Sequence, residues 1–175
     1  MGILSFFTFR KEMSHARNAS RPFTIDLTTF QVGDTKLGER PSEMDFFAKA
    51  LQKSDVFEKP TRGIELAAKD GFLDYAFLTI DNFDGQFMVG GTPVGISQDS
   101  TETTIRDRLG EPYWIDRSDG EIIMFYEYSE GSIELQFEFP DSRSLGFVTL
   151  SRDGVLSCKE QRKSYGMDKP WPPIN

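Results

Sequence analysis

Two glycine-centred turn signals, Asp70-Gly71 and Glu130-Gly131, stand 60 residues apart in similar apolar surroundings. Ile64, Leu66 and Ala68 precede the first turn, and Leu73, Tyr75 and Phe77 follow it. Met124, Tyr126 and Tyr128 precede the second, and Ile133, Leu135 and Phe137 follow it. Asp-Gly strongly, and Glu-Gly less so, suits the positive φ angles of a two-residue hairpin turn. Residues two apart on a strand share a face, so each hairpin gains one apolar side. The expected pairs are Ala68 with Leu73, Leu66 with Tyr75 and Ile64 with Phe77. In the second hairpin they are Tyr128 with Ile133, Tyr126 with Leu135 and Met124 with Phe137.

A helix signal precedes each hairpin. Ser42-Glu43-Met44-Asp45 reads as a capping start, and Met44, Phe47, Ala48 and Leu51 follow at helical spacing. Asp99-Ser100-Thr101-Glu102 caps a shorter helix carrying Ile105 and Leu109, which stops at Gly110 with Pro112 beyond. A strand is expected from Phe23 to Gln31. Third strands near Gln86–Val89 and Leu145–Ser151 would complete two meanders. The expected fold is α+β: two repeated helix-plus-antiparallel-sheet units with about seven strands and two main helices. The first unit takes residues 23–92 and the second 93–157, between an N-terminal extension, 1–22, and a Pro-rich tail, 158–175.

Charge is unevenly placed. The 175-residue chain carries 20 Lys plus Arg against 28 Asp plus Glu, a net charge of −8. Between Glu111 and Asp141 there are nine acids and a single base, Arg117, so this segment alone carries −8. The acidic balance argues against direct nucleic-acid binding and against anionic membranes. The second hairpin register sets Glu127 opposite Glu134, with Gln136 and Glu138 on the same non-core face as Ile123 and Phe125. Like charges directly opposite on a sheet are destabilising, so an exposed acidic face with aromatics in it reads as a surface for a basic protein partner. Tyr113, Asp116 and Asp119, on the loop beside it, join Phe125, Glu127, Glu134, Gln136 and Glu138 as candidate partner-binding residues. Trp114 is expected to cap the core, leaving Tyr113 exposed.

Signatures of catalysis are missing. Cys158 is the only cysteine and His15 the only histidine, which excludes an intramolecular disulfide and a multi-cysteine metal site. Asp116-Arg117-Ser118-Asp119-Gly120-Glu121 lacks the closing ligand and flanking helices of a calcium loop, and Gly90-Gly91 lacks the spacing of a phosphate loop. No catalytic residue, cofactor or metal is therefore assigned. Glu127, Glu134 and Glu138 leave a carboxylate-dependent hydrolase as the alternative reading, and a homo-oligomerising domain as another. The opening Met1–Phe9 stretch is too short for a secretory signal core, and no run of residues is apolar enough to span a bilayer. A cytoplasmic location is the expectation. Phe6, Phe7 and Phe9 are expected to pack on the body or lie as a short helix, and Trp171 to pin the tail.

Leu109-Gly110-Glu111-Pro112-Tyr113, a helix exit followed by an antiparallel meander with glycine-centred turns, resembles the repeat unit of the β-lactamase-inhibitor-like fold. Outer-membrane assembly lipoproteins of the SmpA/OmlA type share a related exit. The tandem spacing resembles that of the inhibitor proteins and of several bacterial toxin-immunity proteins. The resemblance covers about Phe23 to Ser151, without the lipobox cysteine of the lipoproteins or the disulfides of the inhibitors. It implies a cytoplasmic immunity or inhibitor protein that neutralises a basic toxin domain.

Overall fold

The computed structural model describes residues 22–173, which form twelve strands and three short α-helices. In chain order the strands begin with β1 (Thr24–Asp26), β2 (Gln31–Val32), β3 (Thr35–Lys36) and β4 (Val56–Lys59). Next come β5 (Ile64–Lys69), β6 (Phe72–Thr79), β7 (Gln86–Val89) and β8 (Thr92–Val94). The last four are β9 (Trp114–Asp116), β10 (Ile122–Tyr128), β11 (Ile133–Phe139) and β12 (Phe147–Arg152). The helices are α1 (Ala48–Leu51), α2 (Glu102–Leu109) and α3 (Lys159–Ser164). A seven-stranded sheet runs β4-β5-β6-β12-β11-β10-β9, and a five-stranded sheet runs β3-β2-β1-β7-β8.

This architecture overturns the expected pair of helix-plus-sheet repeats with about seven strands. Three departures account for it. The Gln86–Val89 strand does not finish a meander. It pairs in parallel with β1, placing Ile25 beside Phe87, and so founds the smaller sheet. The long strand expected from Phe23 to Gln31 breaks after β1, because the Asp26 carboxylate accepts hydrogen bonds from the Thr28 and Thr29 N–H groups and folds the chain into a turn. The first helix shrinks to α1. Asp45, which would have sat in its first turn, is instead held by the β2–β3 hairpin, accepting from Asp34 N at 2.8 Å and from the Thr35 hydroxyl. Met44 accordingly points into solvent. Helix α2 keeps its signals: Thr101 caps it with a Thr101–Thr104 capping box, Ile105 is buried, and it ends at Gly110 with φ 82°.

The two hairpins fold differently. The β10–β11 register matches the expected pairs at every position, from Ile122 with Phe139 to Tyr128 with Ile133. In β5–β6 the Asp70-Gly71 turn adopts the positive φ of a two-residue turn, and Ala68 pairs with Leu73. A bulge then follows between Ala67 and Ala68, and Leu66 pairs with Ala76 instead of Tyr75. A one-residue slip exchanges the faces of a strand. Ala76 and Leu78 therefore enter the core, whereas Tyr75 and Phe77 turn to the opposite face. The bulge sits where Gly38 N donates to Leu73 O at 2.7 Å and Leu73 N to Glu39 O at 2.8 Å.

The main core lies between the two sheets. Leu66, Leu78, Met124, Leu135, Phe137 and Leu150 of the larger sheet meet Ile25, Leu27, Val32 and Phe87 of the smaller one, with Phe47 and Ile105 filling the flanks. Among the described residues no helix is long and apolar enough to cross a membrane. Phe6, Phe7, Phe9 and His15 lie outside the described residues.

Candidate functional site

The outer face of the seven-stranded sheet carries the chemistry. Its pairings place side chains in cross-strand rows: Glu58, Glu65, Phe77, Thr149, Gln136, Phe125 and Trp114 form one row from β4 to β9. A neighbouring row holds Ala67, Tyr75, Ser151, Glu134 and Glu127, and another holds Thr79, Phe147, Glu138, Ile123 and Asp116. The face divides into a covered half and an open half.

The covered half lies over β9, β10 and β11. The chain from Val155 to Pro173 crosses it as a strap, setting Leu156, Tyr165, Met167 and Trp171 against Ile123, Phe125, Tyr113 and Trp114. Tyr165 meets Phe125 with ring centroids 5.2 Å apart. Trp171 packs edge-on to Tyr113 and comes so close to Gly131 that a Cβ there would lie 2.6 Å from its ring. Tyr113 donates its hydroxyl to Pro170 O, and its own carbonyl accepts from Lys169 Nζ at 2.7 Å. The Arg162 guanidinium sits 5.2 Å from the centre of the Trp171 ring.

Beneath the strap, Glu127 and Glu134 face each other across β10 and β11. Glu134 is fully buried. Its two oxygens accept from the N–H groups of Val155 and Leu156, both at 2.9 Å, and Gln136 Nε2 donates to it as well. The carboxyl oxygens of Glu127 are sealed from solvent, and neither has a hydrogen-bond partner among the described residues. Burial above all, then the Glu134 carboxyl that it faces, pushes Glu127 up to about 10. At that value Glu127 holds its proton at neutral pH. The backbone at Gly154 passes directly over Glu134, where a Cβ would collide with the carboxylate.

The open half lies over β5, β6 and β12. Tyr75 and Phe77 are near-parallel at 6.4 Å, and Phe77 stacks on Phe147 at 5.2 Å, giving a partly exposed column of three rings. Carboxylates flank it. Glu65 is opposite Phe77, Glu58 opposite Glu65, and Glu138 opposite Phe147. None of the ion pairs among the described residues involves these three acids. Burial, followed by the charges of Glu65 and Glu138, lifts the Tyr75 phenol to about 12 and keeps it neutral. Burial, then Glu121, raises Glu138. A shallow cleft of about 110 Å³ opens beside the column, lined by Glu58, Pro60, Gly63, Glu65, Phe77 and Thr79.

No family model matches the chain, and no curated protein does. Among solved structures the chain is similar to a DUF4309 family protein (YjgB) from Bacillus subtilis, at 17% identity and a TM-score of 0.35, over 68% of this chain and 73% of that one. Such a similarity carries no functional inference.

Of the residues expected to bind a partner, Phe125, Glu134 and Gln136 are buried under the strap together with Glu127, and Tyr113 is engaged by the tail. Asp116 is buried and accepts from Ser118 Oγ at 2.6 Å, while Asp119 is exposed in a turn. Glu138 alone borders the open half. Trp114 joins the cluster beneath the strap instead of capping the core, and Trp171 does pin the tail. Period-two alternation puts Tyr75 and Phe77 on the core face, whereas the structure turns both to the outer face. The alternation of Leu73, Tyr75 and Phe77 gave no sign of the bulge that separates them. The strap segment lies over this part of the face, and the carboxyl oxygens of Glu127 are sealed from solvent. Among the described residues no cluster of His, Cys, Asp and Glu is placed to hold a metal ion.

Proposed function

We propose that this protein is a non-enzymatic binding protein, of the immunity or inhibitor kind, that grips a basic protein partner through the open half of its outer sheet face. The observation that carries the reading is the column of Tyr75, Phe77 and Phe147 between Glu58, Glu65 and Glu138, none of which forms an ion pair among the described residues. Aromatic side chains anchor protein interfaces by burying large area at low entropic cost, and unpaired acids steer a basic partner toward them. The acidic net charge acts in the same sense at longer range. The resemblance of Leu109-Gly110-Glu111-Pro112-Tyr113 to inhibitor and immunity proteins agrees with a cytoplasmic antagonist of a basic toxin domain.

The test is capture of partners from the native cell across a range of salt concentrations. Binding should weaken steeply as ionic strength rises and should be lost when Phe77→Ala replaces the central ring. A partner retained equally by the wild type and by Phe77→Ala, or one insensitive to salt, argues against this surface.

A further inference from the structure

The strap is a worked example of what this face accepts. From Val155 to Pro173 it carries Lys159, Arg162, Lys163 and Lys169 against Glu160 and Asp168, a net charge of +2 in a protein that is acidic as a whole. It lays two aromatic residues, Tyr165 and Trp171, against the rings of Phe125 and Tyr113 and holds Lys169 over the Tyr113 ring, while Arg162 lies over the strap's own Trp171. Below it lie the carboxyls of Glu127 and Glu134, the second of which accepts from the strap's Val155 and Leu156 N–H groups. The open half has the same composition, rings bordered by carboxylates, and the row from Trp114 through Phe125, Gln136, Thr149 and Phe77 to Glu65 runs unbroken from one half to the other.

We infer that the partner segment docking on Tyr75, Phe77 and Phe147 is a basic stretch bearing aromatic side chains, the same chemistry as the strap beside it. This rests on the reading under Proposed function and specifies it. Charge selects against the other occupants of an aromatic face. A neutral sugar stacked on the rings leaves Glu58, Glu65 and Glu138 unmatched, and a nucleic acid is repelled by them. A cationic segment satisfies the carboxylates and stacks its own rings or guanidinium groups on the column.

Full-length protein titrated with a synthetic peptide copying residues 155–173 tests this, followed by amide chemical shifts of β5, β6 and β12. The strap already fills the other half, so the free peptide has the open half to occupy. Binding is expected in the range of about 0.1–1 mM, tightening at low salt and weakened about tenfold by Phe77→Ala. Glu65→Gln with Glu138→Gln keeps the test open should Phe77→Ala disturb the fold, and is expected to weaken binding and flatten its salt dependence. Equal binding of a peptide with Lys159, Arg162, Lys163 and Lys169 all replaced by Glu overturns the inference. So does binding of cellohexaose without binding of the peptide, or shifts confined to β10. A basic partner that is captured through Phe77 but not displaced by the peptide overturns this inference and leaves the proposed function standing.

Discussion

Glu127 and Glu134 stand directly opposite each other on β10 and β11, and Glu127 is the one held protonated, lifted to about 10. The asymmetry has a structural cause. Glu134 receives two backbone N–H groups from the start of the strap, whereas neither oxygen of the Glu127 carboxyl has a hydrogen-bond donor among the described residues. A carboxyl whose pKa is raised on folding binds a proton that the unfolded chain releases. Its contribution to stability is complete below the unfolded value, near 4.5, and is lost as pH rises toward about 10. Thermal melts of the wild type should therefore fall progressively across that window. Glu127→Gln, which keeps a donor facing Glu134 without an ionisation, should flatten the decline. Parallel curves for the two proteins would exclude a protonated Glu127.

Glu134→Ala strands the N–H groups of Val155 and Leu156 under the strap, and each buried donor left without a partner costs about 1–3 kcal/mol. Read from the sequence as a solvated surface acid, Glu134 would be near neutral to folding. Urea melts separate the two: a clear fall in midpoint marks the buried role, an unchanged midpoint the exposed one.

Trp171→Ala removes the ring packed on Gly131 and Tyr113 and should loosen the strap without unfolding the sheets. Trypsin cleavage after Arg162 and Lys163 should speed up several-fold, while circular dichroism and the midpoint of the main transition change little. A cleavage rate equal to that of the wild type would mean the tail is held elsewhere.

Leu135→Ala opens a cavity in the main core, where Leu135 is fully buried, and is expected to cost about 2–5 kcal/mol. Phe77→Ala removes a ring of similar apolar character from the partly exposed column and should cost much less. Chemical denaturation of the pair checks the assignment of faces. A larger loss in Phe77→Ala would place Phe77 inside and move the bulge.

Local signals were legible where local chemistry decides. The Asp70-Gly71 turn, the Thr101 cap, the Gly110 stop and the whole β10–β11 register follow from turn propensity, capping and period-two alternation acting over a few residues. The parallel pairing of β7 with β1 was not legible, because it joins segments about 60 residues apart and has no local turn to announce it. The bulge beside Ala67 escaped for a related reason: the segment at Gly38 and Glu39 that pairs with Leu73 comes from a distant part of the chain.

The candidate site divides in the same way. The order of residues alone set which acids and rings stand opposite one another on β10 and β11, since side-chain alternation is a property of the strand itself. Only the assembled molecule decided which of them meet water. A strap from the far end of the chain closed over one half of the face, and a single extra residue in β6 turned Tyr75 and Phe77 outward on the other. Exposure depends on what packs above a residue, and neither the strap's landing place nor the bulge is encoded in the strands they act upon.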